Sequence, residues 1–400
     1  MRFPEFSGEW NKYTINDLAT VVGGGTPDTT VKSYWGGDIQ WFTPSEIGKN
    51  KYVDFSKRTI TRDGLDNSSA KLLPLHTILL SSRATVGECS IASNECTTNQ
   101  GFQSLIAKQC NIDFLYYLIQ TKKKDLIRNA CGSTFLEISA NEIRKIKVAV
   151  PVQNEQEQIA KLLSLIDERI ATQNKIIEDL KKLKSAIIEK VFCPPNQKQP
   201  VCRIKGFEQP LTTYKMNAFC SRIATKNMDA KCSLVLTIAA QYGLVNQGSF
   251  FNKSVASENL TGYYLLHKGE FAYNRSYSAG YDWRTVKRLD NCDEGVLSTL
   301  YICFKINETI VDSDFLTYYF ESTKWHKGLS DIAGEGARNH GLLNVSMTDY
   351  FNTKHRFPSM EGQKVIAKML NAITEREKKA IVLGECYRKQ KQFLLCQMFI

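Results

Sequence analysis

Several polar stretches of this chain carry side chains that could hydrogen-bond to the edges of nucleic acid bases. Guanidinium and amide groups can read base edges, whereas lysines and backbone amides mainly hold phosphates. In the first 150 residues, the candidates lie between strand-like apolar runs and are Arg83, Thr85, Asn99 and Gln100. In the second half, aromatic and basic residues alternate, and the candidates are Asn274, Arg275, Ser276, Tyr277, Tyr281, Trp283, Arg284, Arg338, Asn339 and His340. Such residues suit base contacts if the fold brings them to a surface.

The sequence offers no catalytic or metal-binding pattern. It lacks an Asn-Pro-Pro-Tyr methyltransferase motif, a Gly-x-x-x-x-Gly-Lys phosphate loop and a convincing nucleophile–base pair. The run Gly23–Gly25 is not followed by a helix start with a basic residue, which favours a structural turn over phosphate binding. Twelve scattered cysteines without a CxxC pair favour free thiols over a metal or disulfide framework. We therefore expect a chain that is not an enzyme by itself and binds no metal or cofactor.

The net charge of +11 is unevenly placed. Residues 154–192 are neutral and residues 361–399 carry +4, so the remaining +7 lies elsewhere in the chain. This excess favours a polyanionic partner such as nucleic acid, with a basic but non-binding surface as the alternative. No apolar run is long enough to cross a bilayer, and the start shows no signal peptide. We expect a cytoplasmic protein that does not contact membranes.

The chain contains an internal repeat. Residues 151–192 align with residues 358–399 at an offset of 207, with 13 identities over 42 positions. The segments before them match at an offset of 201, as in Arg2 and Arg203. A repeat of this kind predicts two similar structural units.

The patterning predicts a mixed α+β (α/β) fold with two globular domains and two long helices. Apolar runs bounded by turn signals suggest short strands in the globular parts. The predicted parts are a first domain over residues 1–150, a helix over 151–196, a second domain over 197–357 and a helix over 358–400. About 38 helical residues give a rod of about 57 Å, which exceeds what one domain of this size can cover. The two helices are therefore expected to pair antiparallel, about a pseudo-twofold axis, with the domains at opposite ends.

Apolar residues at spacings of three and four define the predicted packing positions of both helices. The predicted positions are Ile159, Leu163, Ile166, Ile170, Leu180, Ile187, Ile366, Leu370, Ile373, Leu383 and Leu394. Self-pairing is the simplest use of these residues, and the same helices could also dock a second protein.

Several linked motifs resemble the specificity subunit of type I restriction-modification systems. Each is weak alone, but their order and the repeat make the resemblance strong. The motifs are Arg2–Phe6 with Trp10, Gly23–Pro27, Tyr34–Gly37, Trp41–Ser45, Ser82–Gly87, Thr98–Phe102, Pro151–Asp167 and Phe393–Phe399. The second copy departs from the pattern, because it lacks the triple glycine and the Asn-Gln-Gly-Phe run. The two domains are therefore expected to read different sequences.

The resemblance implies a DNA-reading adaptor. Its two target recognition domains would each read half of a split, asymmetric double-stranded target, while the helices set their separation and bind two modification subunits. Those partners would methylate adenine with S-adenosylmethionine, and restriction subunits with ATP and Mg would join them. A self-contained restriction or modification enzyme and a helical scaffold without DNA binding are the alternatives.

The motifs that carry the resemblance have a structural interpretation too. Ser82–Gly87 and Asn99–Phe102 can be framework, because the resemblance includes them whatever the target. For the segment 274–284, framework and contact roles are equally open. The basic residues between Lys49 and Arg62 are by default a solvated face.

Overall fold

The computed structural model describes residues 1–132, 136–239, 242–251, 259–275, 285–332 and 345–399. The chain divides into two units. Unit 1 comprises Met1–Lys175 and Ile381–Ile400, and unit 2 comprises Ile176–Ala380. Each unit thus combines a globular part with portions of both long helices, a division that a linear reading of the sequence does not suggest.

Unit 1 is mixed α+β. Its strands are β1 (Asn11–Thr14), β2 (Ala19–Gly23), β3 (Trp35–Phe42), β4 (Tyr52–Val53), β5 (Arg58–Ile60), β6 (Ile78–Leu80), β7 (Cys89–Ala92), β8 (Cys96–Thr98), β9 (Gln103–Ala107) and β10 (Lys147–Val150). Its short helices are α1 (Ile15–Leu18), α2 (Arg62–Asp66), α3 (Ile112–Thr121), α4 (Lys123–Arg128) and α5 (Ala140–Lys145). The first long helix, α6, runs from Gln153 to Val191 and starts in this unit.

The main sheet of unit 1 has the order β2-β9-β6-β7-β4, with β4 parallel to β7 and the other neighbours antiparallel. A second sheet has the order β5-β3-β8, and β1 pairs with β10. Every residue of β6 and β7 is buried; β6 is entirely apolar, and Ser90 is the one polar residue of β7. Helix α3 covers this core and is capped by Asn111, whose side chain accepts a hydrogen bond from the amide of Phe114 at 2.9 Å.

Unit 2 is also mixed α+β. Its strands are β11 (Thr212–Lys215), β12 (Cys220–Arg222), β13 (Leu236–Ala239), β14 (Gly243–Asn246), β15 (Tyr264–His267), β16 (Phe271–Asn274), β17 (Thr285–Arg288), β18 (Glu294–Leu297), β19 (Ile302–Ile306) and β20 (Lys354–Phe357). Its helices are α7 (Met216–Phe219), α8 (Gln247–Phe251), α9 (Ser313–Glu321), α10 (His326–Ser330), α11 (Met347–Asn352) and the start of the long helix α12 (Met360–Met398).

The repeat extends to the sheets. The order β12-β19-β16-β17 in unit 2 matches β2-β9-β6-β7 in unit 1, and the pair β11-β20 matches β1-β10. Helix α9 is capped by Asp312 through the amide of Phe315, as α3 is by Asn111. The globular parts of the two units therefore share a core topology, although the second copy lacks the triple glycine and the Asn-Gln-Gly-Phe run of the first.

Both long helices begin just after a proline, and α6 also ends just before one. Helix α6 starts two residues after Pro151 and ends before Pro194, and α12 starts two residues after Pro358. In unit 1 the two run antiparallel, because Asp167 pairs with Lys391 at 2.7 Å and Asn174 accepts from Arg388 at 2.5 Å. No helix among the described residues is long and apolar enough to cross a membrane.

Candidate nucleic-acid interface

Two loops of unit 1 meet beyond the ends of neighbouring strands. The loop after β6 carries Arg83, and the loop between β8 and β9 carries Asn99 and Gln100. The amide of Ser82 donates to the carbonyl of Gly101 at 2.8 Å, so the two loops are fastened to each other. Both loops are continuous with buried strands, and this fixes the backbone positions from which their side chains project.

Arg83, Asn99 and Gln100 line one open depression. Its other lining residues are Thr43, Pro44, Ser45, Ala84 and Gly101. Three of the four residues predicted for the first domain are thus brought together. The fourth, Thr85, is exposed but does not line the depression, and its hydroxyl lies 3.0 Å from that of Ser81.

The polar groups of the depression are partly engaged inside the protein. Arg83 donates to Glu137 at 2.7 Å, and both side chains keep about two fifths of their surface exposed (44% and 41%). The Oδ1 atom of Asn99 accepts from the amide of Gly101 at 2.9 Å, and Oε1 of Gln100 accepts from the Thr26 hydroxyl. The side-chain nitrogens, Nδ2 of Asn99 and Nε2 of Gln100, make no hydrogen bond with any described residue. They are donors suited to acceptors on a base edge.

The glycine run beside these loops has a structural role. A Cβ atom at Gly24 would lie 2.1 Å from the carbonyl oxygen of Asn99, and one at Gly25 would lie 2.3 Å from the amide of Ala70. Only glycine permits such close backbone contact. The prediction of a structural turn rather than a phosphate loop agrees with this packing.

Sequence reasoning did not select Thr43, Ser45 or Glu137. Thr43 begins a short turn in which Glu46 accepts hydrogen bonds from its amide and its hydroxyl at 2.8 and 2.6 Å. The motif Trp41–Ser45 was visible in the sequence, but nothing in it indicated proximity to Asn99. That proximity results from the parallel pairing of β3 with β8, in which Phe42 faces Thr98.

The predicted residues of the second domain have a different outcome. Asn274 is 8% exposed, and strand register explains why. Ile78 pairs with Leu105 in unit 1 and Phe271 pairs with Phe304 in unit 2, so Asn274 occupies the place of the fully buried Ser81. Its burial disfavours the predicted base contact. Arg275 is half-buried and donates to the carbonyl of Leu300 at 3.1 Å. Ser276, Tyr277, Tyr281, Trp283, Arg284, Arg338, Asn339 and His340 lie outside the described residues.

One residue of the basic stretch departs from the expected solvated face. The Lys51 side chain is 9% exposed and contacts Asp113 at 2.7 Å and Ser164 at 2.6 Å. Lys49, Lys57, Arg58 and Arg62 are exposed, as the default interpretation predicts.

The predicted packing residues of the long helices fall into three groups. Those that are buried are Ile159, Leu163, Ile166, Ile366, Leu370 and Leu394. Those that are half-buried are Ile170, Leu180, Ile187 and Ile373. Leu383 is 43% exposed, which disfavours a packed position, and Ile188 rather than Ile187 is buried in unit 2.

The buried helix residues pack against globular parts as well as against the other helix. Ile159, Leu163 and Ile166 belong to the same core as Phe114, Leu394 and Met398 in unit 1. The sequence predicted a helix–helix contact alone, whereas each helix portion also packs against the globular part of its unit.

Polar contacts between helices and globular parts recur in both repeats. Gln156 accepts from the amide of Asn111 at 3.0 Å, and its equivalent Gln363 accepts from the amide of Asp312 at 2.9 Å. Tyr117 donates to Asp167 at 2.7 Å, and its equivalent Tyr318 donates to Asn371 at 2.7 Å. The internal repeat thus preserves the way each helix is attached.

A salt-bridge position also recurs. Lys51 contacts Asp113 and Ser164 in unit 1, whereas Arg288 contacts Asp314 at 2.7 Å in unit 2, and Asn371 donates to the same carboxylate. Burial alone would raise the pKa of Asp314, but the hydrogen bonds from Asn371 and Arg288 bring it below its ordinary value.

Comparison with known proteins finds a family model and curated relatives that match part of the chain. Residues 7–182 match the family described as type I restriction modification DNA specificity domain. The MjaIX specificity subunit of Methanocaldococcus jannaschii is 38% identical over 192 residues, or 46% of this chain and 44% of the relative. The EcoR124I/EcoR124II specificity subunit of Escherichia coli is 28% identical over 42% of this chain and 43% of the relative. The matched part therefore spans less than half the length of these curated relatives.

A solved structure shows the same overall fold. The crystal structure of the S subunit of a type I restriction-modification system from M. genitalium has a TM-score of 0.55 and covers 100% of this chain and 99% of its own. The identity is 14%, so this likeness supports the fold alone.

Proposed function

We propose that this chain, whose residues 7–182 match the family described as type I restriction modification DNA specificity domain, gives a type I restriction-modification complex its DNA sequence specificity. Unit 1 would read one half of a split target and unit 2 the other half. The observation that carries this proposal is the depression lined by Arg83, Asn99 and Gln100, where two amide donors are presented on loops fastened to a buried sheet.

The chain would act as a non-catalytic adaptor. Modification subunits would supply S-adenosylmethionine-dependent adenine methylation, and restriction subunits would supply ATP- and Mg-dependent translocation and cleavage. The named family and the lack of catalytic motifs in the sequence support this division of labour. Two modification subunits are proposed, one for each repeat.

The long helices would provide the protein-docking surface. Both carry large apolar side chains that the chain itself leaves exposed, at 36–59% of their surface. These side chains are Leu165, Ile176, Leu183, Val365, Val382, Leu383 and Phe393. Exposed apolar groups on helices are typical of protein interfaces, and Leu383, which is not packed, suits this role.

A DNA-binding experiment tests base reading by unit 1. Methylation mapping in cells that express the chain with its modification partners first identifies the target. Asn99→Asp and Gln100→Glu then remove one NH₂ donor each and keep the oxygen that accepts from Gly101 or Thr26. We expect each to weaken binding to the target duplex by about 5–150-fold, the equivalent of about 1–3 kcal/mol for a base contact.

The control is Gln109→Glu, which makes the same chemical change at an exposed residue outside the depression. All variants are also measured with a scrambled duplex, because added negative charge weakens binding to any DNA. If the ratio of target to scrambled affinity is the same for Gln100→Glu and Gln109→Glu, the depression does not read bases.

A further inference from the structure

The equivalent arginines of the two repeats, Arg2 and Arg203, have different hydrogen-bond partners. In unit 1, Arg2 forms a two-pronged salt bridge with Glu155, with N–O distances of 2.6 and 2.7 Å. Glu155 is fully buried, and the indole of Trp10 donates to it at 3.3 Å. The carboxylate of Glu155, in the first turn of α6, thus holds the first residues of the chain against the long helix.

In unit 2 the equivalent carboxylate is missing. The offsets of the repeat place Arg203 at the position of Arg2, Gly362 at that of Glu155 and Leu211 at that of Trp10. Arg203 donates instead to the backbone carbonyls of Phe207, at 2.5 Å, and Gln209. Among the described residues, no carboxylate forms a salt bridge with Arg203.

A cavity of about 20 Å³, partly open to solvent, lies at this place. Arg203, Arg356, Gly362, Cys193 and Leu211 are among its lining residues. The Nε atom of Arg356 is buried and has no hydrogen-bond partner among the described residues. A buried donor without a partner lowers the free energy of unfolding, so an acceptor that reaches this N–H group would stabilise the site.

The second repeat has also gained a cation here. The offset of 207 places Arg356 at the position of Ala149, so the loss of one carboxylate accompanies the gain of one guanidinium. Burial raises the pKa of the Cys193 thiol, and the charges of Arg356 and Arg203 oppose that rise, as expected for two cations close to the same wall.

We propose that the cavity beside Gly362 binds a carboxylate group supplied by another molecule. Two guanidinium groups provide planar pairs of donors that match a carboxylate, and unit 1 shows which group satisfies this arginine. The cavity is small and partly open to solvent, so only the carboxylate end of an acid would enter it and the rest of the acid would stay outside. The acid is either a small free carboxylate or an acidic side chain of a polypeptide.

The binding experiment uses the full chain and ¹³C-labelled formate, whose NMR line broadens when it exchanges with a bound state. Ionic strength is held constant with sodium chloride. We expect millimolar binding to the wild type and at least tenfold weaker binding to Arg203→Gln, Arg356→Gln and Gly362→Glu. Lys205→Gln is the matched control, because it removes one exposed positive charge nearby in sequence. It should bind formate like the wild type.

A stability measurement tests the same site without a ligand. A Cβ atom at Gly362 would lie 3.1 Å from Pro358 Cβ and 3.5 Å from Phe207 Cδ1, so small shifts accommodate a side chain. Gly362→Glu recreates the carboxylate of the first repeat and should melt several degrees above Gly362→Gln, which has the same length without the charge. Equal melting temperatures, or formate broadening that is as strong in Gly362→Glu as in the wild type, would overturn the proposal. So would the absence of formate binding to the wild type.

A second ligand separates the two sources of the acid. N-acetylglutamate amide carries its only carboxylate on a side chain. If it displaces formate with equal or higher affinity, an acidic side chain of a polypeptide is the source. If formate binds and N-acetylglutamate amide does not displace it, a small free carboxylate is the source.

Discussion

Gln156 offers a sharp test of how the long helix is attached to unit 1. Its side chain is 5% exposed, and it accepts from the amide of Asn111 and donates to the carbonyl of Pro151 at 2.9 Å. The Cys110 thiol also donates to Oε1 of Gln156, at 3.3 Å. The substitution Gln156→Leu keeps the size of the side chain and removes all three bonds. Each buried polar group that loses its partner costs about 1–3 kcal/mol. Asn111 is half-buried, so water can satisfy part of its loss, and we expect a total of about 2–4 kcal/mol.

The expected change in melting temperature follows from this energy. For a unit of 150–250 residues, each kcal/mol lowers the melting temperature by about 2–4 °C, so unit 1 should melt about 4–16 °C lower. Because the chain has two units, a single transition is not assumed, and hydrogen exchange is measured by segment. Exchange should accelerate in α3 and in the first turns of α6, and it should stay unchanged in α9.

The control is Gln158→Leu, an exposed glutamine on the same helix. The equivalent variant Gln363→Leu removes the acceptor of the Asp312 amide and should instead accelerate exchange in α9. If Gln156→Leu and Gln158→Leu had the same stability within about 0.5 kcal/mol, the side-chain bonds of Gln156 would contribute nothing and the reasoning would be refuted.

Three other predictions concern single residues. Burial lowers the pKa of His355 to about 3, against 6.5 in an unfolded chain, so only the unfolded state takes up a proton as the pH falls below 6.5. Urea unfolding of unit 2 should therefore show a loss of about 1.4 kcal/mol per pH unit between pH 6.5 and 4, and His355→Gln should remove this part of the slope. Gly24→Ala should destabilise unit 1 by at least about 2 kcal/mol in urea unfolding, because its Cβ would overlap the Asn99 carbonyl; a neutral outcome would show that the loops can separate. Ala84 has φ of 64°, so Ala84→Gly should raise stability by up to about 1 kcal/mol, and a clear loss would contradict the backbone strain.

The sequence alone predicts the local features well. The mixed α+β class and the two long helices are confirmed, because the proline positions and the apolar spacing are properties of contiguous residues. The run Ile78–Leu80 is one of the contiguous apolar runs that predict short strands, and it forms the buried strand β6. The repeat offset even identifies residues with matching contacts, as Gln156 and Gln363 show.

Features that depend on distant pairing were not predictable. In the sequence Lys51 cannot be distinguished from a surface lysine, because its partner Asp113 lies 62 positions away in the chain. Asn274 resembles a base-reading residue, yet the register of β16 against β19 places it inside the sheet. The polar composition of a segment does not determine which strand it joins, and therefore it does not determine which side chains reach the surface.

The way the last residues complete unit 1 has a consequence for biosynthesis. Unit 1 needs residues from 381 onwards, since Leu394 and Met398 belong to its core, whereas all residues of unit 2 have been made by Ala380. At about 5–20 residues per second, a ribosome needs about 10–40 s to add the residues of unit 2 after the first part of unit 1. During that time Ile159 and Leu163 lack the core residues Leu394 and Met398. Although its first part is made first, unit 1 therefore cannot complete its fold during translation before the helix portion that carries Leu394 and Met398 has been made.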